Sequence, residues 1–220
     1  MEPPQAISGG PGPPTAPRSG IPAPVTVLVG RRAECAGVAA ALDSSRLVTL
    51  MGPGGVGKTR LALAVAARVQ PRFGGRAWWV ELAPVTRDDM AAQAIADAVG
   101  ARDASVLDLA ESIAVRIADH PALIVLDNCE HLTAGCREVA GRLLTMCPRL
   151  HILATSREPL GAAGEARWPL APLTVPQPTG QPGAWPAAEQ DAAPGATGAA
   201  ALLAGSEAMQ FFLDLSLIHI

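Results

Sequence analysis

The segment Leu47–Ala66 reads LVTLMGPGGVGKTRLALAVA, and its Lys58 is the only lysine in a chain otherwise supplied with arginine. The apolar run before the glycines is short and compact, which is typical of a buried parallel strand. The residues from Lys58 to Val69 have the periodicity of a helix. The segment therefore predicts a strand, a glycine-rich turn and a helix in direct succession.

The turn from Gly52 to Thr59 fits the pattern G-x-x-x-x-G-K-[ST], which in this context indicates a phosphate-binding loop. Its glycines let backbone N–H groups surround phosphates, and the helix N-terminus adds its positive end. We expect Lys58 to face solvent until it meets the β- and γ-phosphates, and the Thr59 hydroxyl to bind Mg²⁺. Arginine's wide planar fork cannot replace that point charge, which explains the single lysine. The alternative is a glycine-rich turn before an ordinary helix. The residues predicted to bind nucleotide through this loop are Gly52, Pro53, Gly54, Gly55, Val56, Gly57, Lys58, Thr59 and Arg60.

A second candidate site lies in the stretch ALIVLDNCEHL, where Asp127 ends an apolar run that predicts a buried strand. Ligands gather at the carboxyl ends of parallel strands, so Asp127 is placed to complete the Mg²⁺ shell together with Thr59. The alternative is an aspartate in an ordinary strand-ending turn. Glu130 either polarises an attacking water or is a solvated glutamate in a first helical turn, and both interpretations stay open.

A third candidate site is ILATSREPLG, in which Thr155, Ser156 and Arg157 end another apolar strand. A hydroxyl and an arginine beside Asp127 would be placed to read the γ-phosphate. An ordinary surface arginine is the alternative. The predicted catalytic group therefore consists of Lys58, Asp127, Glu130 and Arg157.

The remaining pattern alternates strands with helices, which predicts an α/β fold with a mostly parallel sheet covered on both faces. Thr86 is expected to cap a helix that runs through Val99 and stops at Gly100. A further helix is expected from Thr133 to Cys147. The other predicted strands are RAWWVEL, PALIVLDN and RLHILATS. Trp78 and Trp79 are expected in the core rather than against a cofactor.

Composition excludes several classes of protein. The net charge is −3 and the arginines are dispersed, which does not favour a nucleic-acid or anionic-membrane surface. There is no basic and apolar leader and no run of about 18 apolar residues, so a cytoplasmic protein without a membrane segment is expected. The four cysteines lack metal-site or disulfide spacing and are expected to be buried thiols.

The two ends of the chain differ from the middle in amino-acid composition. Residues 1–24 are rich in Pro and Gly and predict a disordered tail, and residues 25–174 form the predicted NTPase domain. Residues 175–205 form a Pro/Gly/Ala linker, and residues 206–214 start a truncated helical domain. The last six residues, LSLIHI at 215–220, are interpreted as translated sequencing adapter.

Five blocks occur in order between Leu28 and Gly161: LVGRRAE, GPGGVGKTRLA, WWVELAPV, LIVLDNCEHL and ILATSREPLG. Together they resemble the STAND class of P-loop NTPases, which is related to NB-ARC and AAA+ domains. More closely, they resemble the ATPase module of bacterial LuxR-type and AfsR-like (SARP-associated) regulators. The resemblance implies a three-layer αβα sandwich in which the sensor strand separates the Walker A and Walker B strands.

The resemblance also assigns roles to residues. Val29, Gly30 and Arg31 would contact the adenine side of the nucleotide, Asp127 would be the Walker B acid, and Arg157 the sensor arginine. The module would then be an ATP/ADP switch that self-associates on activation and reaches DNA only through a missing C-terminal domain. Asn128 stands where rapid AAA+ hydrolases carry a glutamate, so hydrolysis is expected to be slow or to depend on Glu130. A constitutive ATPase or a small-molecule kinase of the P-loop type is the alternative, and a degenerate interaction scaffold is a third reading.

Overall fold

The computed structural model describes residues 20–23, 28, 30–101 and 108–173. Within them a five-stranded parallel sheet is flanked by helices on both faces. The strands are β1 (Leu47–Met51), β2 (Ala77–Glu81), β3 (Ala122–Asp127), β4 (Leu150–Ser156) and β5 (Glu165–Pro169). The helices are α1 (Arg32–Ser44), α2 (Lys58–Val69), α3 (Ala91–Val99), α4 (Leu109–Ile117) and α5 (Thr133–Met146). Short 3₁₀ turns cover Gln70–Phe73, Asp88–Met90 and Cys129–His131.

The strand order is β2-β3-β4-β1-β5. β4 therefore lies between β1, which leads into the glycine-rich loop, and β3, which ends at Asp127. This is the order that the resemblance implies. The predicted α/β fold, a three-layer αβα sandwich with a parallel sheet, is confirmed.

Two apolar layers hold the helices on the sheet. Val48, Leu50 and Leu123 face α1 and α2, whereas Trp78 and Ile124 face α3, α4 and α5. β3 is buried along its whole length, because both of its faces are covered. Trp79 is half-buried against the α1–α2 layer, so both tryptophans of β2 pack in the core as expected. The four cysteines are free and buried.

Two elements differ from the sequence prediction. The helix that Thr86 was expected to cap begins only at Ala91, because Asp88–Met90 forms a 3₁₀ turn first. That turn packs against α5, where the Asp88 side chain accepts a hydrogen bond from the Gly135 N–H at 2.9 Å. β5 was not predicted: its sequence EARWP is short and only partly buried, and it pairs with one neighbour, β1, at the edge of the sheet.

Several predictions fall on residues outside the described ranges. These are Val29, most of the 1–24 tail, the linker at 175–205, the helical start at 206–214 and the LSLIHI segment. Gly20, which belongs to the predicted tail, forms an isolated parallel bridge with Trp78 and donates its N–H to the Ala77 carbonyl at 3.0 Å. None of the helices in the described part of the chain combines the length and apolarity needed to cross a membrane.

We expect Gly135→Ala and Gly141→Ala, both within α5, to have opposite effects on stability. A Cβ at Gly135 would overlap the backbone carbonyl of Asp88, whereas a Cβ at Gly141 meets no atom within 4 Å. Gly135→Ala should therefore lower the free energy of unfolding by about 1–3 kcal/mol. Gly141→Ala should raise it by about 0.4–1 kcal/mol. Urea unfolding of the two variants checks this, and equal effects would contradict the packing of the Asp88 turn on α5.

Candidate functional site

The glycine-rich loop joins the carboxyl end of β1 to the start of α2. Gly55 and Gly57 have φ angles of 78° and 97°, which side chains rarely adopt. At Gly52 a Cβ would lie 2.9 Å from the Leu170 carbonyl oxygen, so the loop can approach the residue after β5 only with glycine there. The loop conformation thus depends on glycine at three of the predicted positions.

Lys58 begins α2 and turns its ammonium back into the loop. Nζ donates hydrogen bonds to the carbonyl oxygens of Gly52 at 2.8 Å and Pro53 at 3.1 Å. The residue is only 8% exposed, so the expectation that it faces solvent is wrong. The physical reason is that two backbone carbonyls of the curved loop satisfy the buried charge. The ammonium is thereby held among the backbone groups that would surround a phosphate.

Asp127, the last residue of β3, connects α2 with β4 through hydrogen bonds. Its Oδ1 accepts hydrogen bonds from the hydroxyl of Thr59 at 2.9 Å and from that of Thr155 at 2.6 Å. Thr155 in turn accepts from the Asn128 N–H at 2.9 Å. Asp127 and Thr155 are 8% and 1% exposed and Thr59 is exposed, so Oδ1 of a buried carboxylate is held by one buried and one exposed hydroxyl.

This donor set fits Mg²⁺. A carboxylate and a hydroxyl are hard oxygen ligands, and Mg²⁺ is normally held by one or two such groups while waters and phosphates complete its shell. Among the described residues there is no group of three or more His, Cys, Asp and Glu side chains that could hold a metal by itself. Thr59 and Asp127 would supply two of the oxygen ligands of such an ion.

Asn128 adopts a left-handed conformation with φ 67° directly after β3. This turn sends the chain into the 3₁₀ segment that carries Cys129 and Glu130. A hydrogen bond with Cys136, together with burial, raises the pKa of the Cys129 thiol well above its ordinary value. Cys129 therefore stays a neutral thiol.

Arg157 and Glu130 are brought together across the ends of β4 and β3. Arg157 Nε lies 2.9 Å from Glu130 Oε1, and the two side chains are 63% and 19% exposed. A Cβ built on Gly54 would lie 3.8 Å from Nη2 of Arg157, so the guanidinium also borders the loop. The structure thus brings Arg157 close to the loop and pairs it with Glu130, while its role as the sensor arginine stays a prediction.

A cavity of about 220 Å³ opens beside the other flank of the loop. Its walls come from the segment before α1, from the loop with the first turn of α2, and from the segment after β5. The lining residues are Leu28, Arg31, Gly55, Val56, Gly57, Arg60, Pro172 and Leu173. Arg31, Val56 and Arg60, which the sequence analysis assigns to the nucleotide as a prediction, thus line one pocket. Gly30, just before Arg31, has a left-handed conformation with φ 67°.

Arg31 connects the walls of this cavity. Its Nη2 donates hydrogen bonds to the carbonyl oxygens of Val56 at 3.0 Å and Ala171 at 2.8 Å, and the residue is only 4% exposed. The contribution of Ala171, Pro172 and Leu173 to this cavity was not predictable from the sequence. They carry no motif, and only the unpredicted strand β5 brings them to the loop.

Comparison with known proteins gives relatives that are longer than this chain. No protein-family model matches the sequence. An uncharacterized protein of Mycobacterium tuberculosis is 41% identical over 151 residues, which is 69% of this chain and 38% of that protein. A second M. tuberculosis protein, provisionally named an HTH-type transcriptional regulator, is 45% identical over 136 residues, which is 62% of this chain and 15% of that protein. The chain thus spans well under half the length of either relative.

Solved structures similar to this chain are more distant in sequence. A STAND protein with a tetratricopeptide repeat sensor from Pyrococcus horikoshii has a TM-score of 0.47 and 22% identity, covering 72% of this chain and 24% of that one. The ORC2 protein of Aeropyrum pernix, solved as ADPNP and ADP complexes, has a TM-score of 0.46 and 19% identity, covering 64% of this chain and 48% of that one.

We expect Asp127→Asn to remove the Mg²⁺ dependence of nucleotide binding while the fold is kept. The amide oxygen can still accept from Thr59 and Thr155, but the charge that attracts the cation is lost. Affinity in the presence of Mg²⁺ should fall by about 2–5 kcal/mol. Titration of nucleotide with and without Mg²⁺ checks this. Asp119→Asn, which removes the same charge before the opposite end of β3, is the control, and an unchanged Mg²⁺ response in Asp127→Asn would remove Asp127 from the site.

Arg31→Lys is expected to loosen the cavity although it keeps the positive charge. A single ammonium lacks the fork that reaches both the Val56 and the Ala171 carbonyl. The loss of a buried charge-assisted hydrogen bond should cost about 1.5–3 kcal/mol of stability and should weaken nucleotide binding. Arg32→Lys, at the exposed neighbouring position, provides the matched control in thermal unfolding and nucleotide titration. Equal behaviour of the two variants would argue against the bridging role of Arg31.

Proposed function

We propose that this chain is the nucleotide-binding switch module of a bacterial transcriptional regulator of the LuxR-type or AfsR-like kind. It binds ATP or ADP with Mg²⁺ and hydrolyses ATP slowly. The observation that carries the proposal is the contact of Thr59 and Thr155 with one oxygen of Asp127, beside a loop that encloses the Lys58 ammonium. A motif match alone would not require these groups to meet.

Each side chain has a defined task in this proposal. The loop N–H groups and the helix N-terminus bind the phosphates. Lys58 exchanges its hydrogen bonds to the Gly52 and Pro53 carbonyls for contacts with the β- and γ-phosphates. Thr59 and Asp127 hold Mg²⁺, which neutralises charge on the phosphate oxygens when it is bound. Thr155 orients the Asp127 carboxylate. Arg31 and Arg60 line the cavity for the base and sugar.

Slow hydrolysis follows from the residue after Asp127. Asn128 offers a carboxamide, which cannot accept a proton from an attacking water. Glu130 is the next carboxylate after Asn128 along the chain, and Arg157 engages it at 2.9 Å. A water at the γ-phosphate therefore lacks a ready base, and the bound nucleotide persists long enough to act as a signal. A constitutive ATPase or a substrate kinase would need a base that is available at all times.

The regulatory part of the proposal has separate support. One relative of this chain carries the name of an HTH-type transcriptional regulator, and the aligned segment is 15% of its length. By analogy, DNA contact belongs to another domain of the whole protein, and self-association follows the exchange of ADP for ATP. A cytoplasmic location is part of this proposal, because ATP and the DNA target are found there.

We expect Lys58→Ala and Lys58→Arg to lose nucleotide while the fold is retained. Alanine removes the charge, and arginine keeps it on a fork that is too wide for the loop. Pro53 is exposed and Gly52 half-buried, so water can reach the carbonyls that Lys58 leaves. Nucleotide released from the purified protein by acid, together with titration of labelled ADP, measures the effect. Arg68→Ala, at the exposed end of the same helix, is the control. Retention in the Lys58 variants equal to that of the unmodified protein would overturn the proposed function.

A further inference from the structure

The pairing of Arg157 with Glu130 has a consequence for which nucleotide the site prefers. Arg157 follows β4 and Glu130 follows β3, and these strands are neighbours in the sheet. Their side chains meet at 2.9 Å through Nε, while Nη2 of the same guanidinium points towards Gly54 of the loop. The Arg157 guanidinium therefore lies between the Glu130 carboxylate and the edge of the glycine-rich loop at Gly54.

The two partners are held differently. Glu130 is 19% exposed and sits in a 3₁₀ turn, whereas Arg157 is 63% exposed on a long side chain. Arg157 is the member that can move. An ion pair with this exposure is weak. A guanidinium can bind a phosphate through two parallel hydrogen bonds, just as it binds a carboxylate. A phosphate that reaches the rim near Gly54 would compete with Glu130 for Arg157.

We propose that Glu130 is a specificity-determining residue that holds Arg157 away from the terminal phosphate and so lowers the preference of the site for ATP over ADP. The proposal rests on the proposed nucleotide function. ATP presents a γ-phosphate that draws Arg157 from Glu130, and part of its binding free energy is used to break the pair. ADP ends at the β-phosphate and leaves the pair intact. Glu130 thus acts on nucleotide choice through Arg157 and not as a general base.

The variant Glu130→Gln tests this with the whole chain. Dissociation constants are measured for ADP and for the non-hydrolysable β,γ-imido analogue of ATP, both with Mg²⁺. The ratio of the two affinities should shift in favour of the triphosphate by about two- to fivefold, which is the size of an exposed ion pair. Affinity for ADP should change little. An unchanged ratio would overturn the proposal, and an accompanying loss of single-turnover hydrolysis would then assign Glu130 as the base.

Two controls separate the pair from a general effect of charge. Glu158→Gln removes the same charge from the exposed residue next to Arg157 and should leave the ratio as it is. In an Arg157→Gln background, Glu130→Gln should no longer change the ratio. If Glu158→Gln gives the same shift, or if the Glu130 effect survives without Arg157, the pairing does not set the preference. Failure of the unmodified chain to bind either nucleotide would instead refute the proposed function itself, so the two failures are distinguishable.

Discussion

Three segments that are far apart in the sequence meet at one atom, Oδ1 of Asp127. Thr59 reaches it from the start of α2, Thr155 from the end of β4, and Asp127 itself ends β3. A buried carboxylate is costly unless it is fully engaged by donors, so the two hydroxyls and the position of the strands are mutually dependent. The glycine-rich loop leads directly into Thr59, and Glu130 follows Asp127 by three residues, so the loop and the Arg157–Glu130 pair both border this point.

The sheet order makes this meeting possible. Parallel strands place all their carboxyl ends at one edge, and the order β3-β4-β1 puts the polar residues that follow these strands next to one another. The apolar layers on both faces fix the strands, since β1, β3 and β4 are buried almost throughout. Packing of the core therefore fixes the strands and so positions the polar groups at their ends. The hydrogen bonds among these groups then orient the side chains.

A second set of contacts joins the loop to the edge of the sheet. β5 lies outside β1, and the chain leaving it passes the loop closely enough for Leu170 N–H to donate to the Met51 carbonyl at 2.7 Å. Arg31 then bonds both the loop and Ala171. Because one buried guanidinium bonds both the glycine-rich loop and the segment that follows β5, a displacement of the loop would strain its contact with that segment.

The sequence by itself determined the elements whose signals are local. The glycine spacing, the helix from Lys58 to Val69, the apolar strands that end at Asp127 and Ser156, and the Gly100 stop were all predictable, because each depends on residues close together in the chain. Only the tertiary structure decided the burial of Lys58, the late start of α3 after Thr86, the strand β5 and the contacts of Arg31 and Glu130. Each of these depends on a carbonyl, a carboxylate or a neighbouring strand that another part of the chain supplies. A backbone carbonyl that accepts a hydrogen bond, or a strand that pairs at a sheet edge, has no recognisable signal in the amino-acid sequence. These contacts form only when the sheet brings distant segments together.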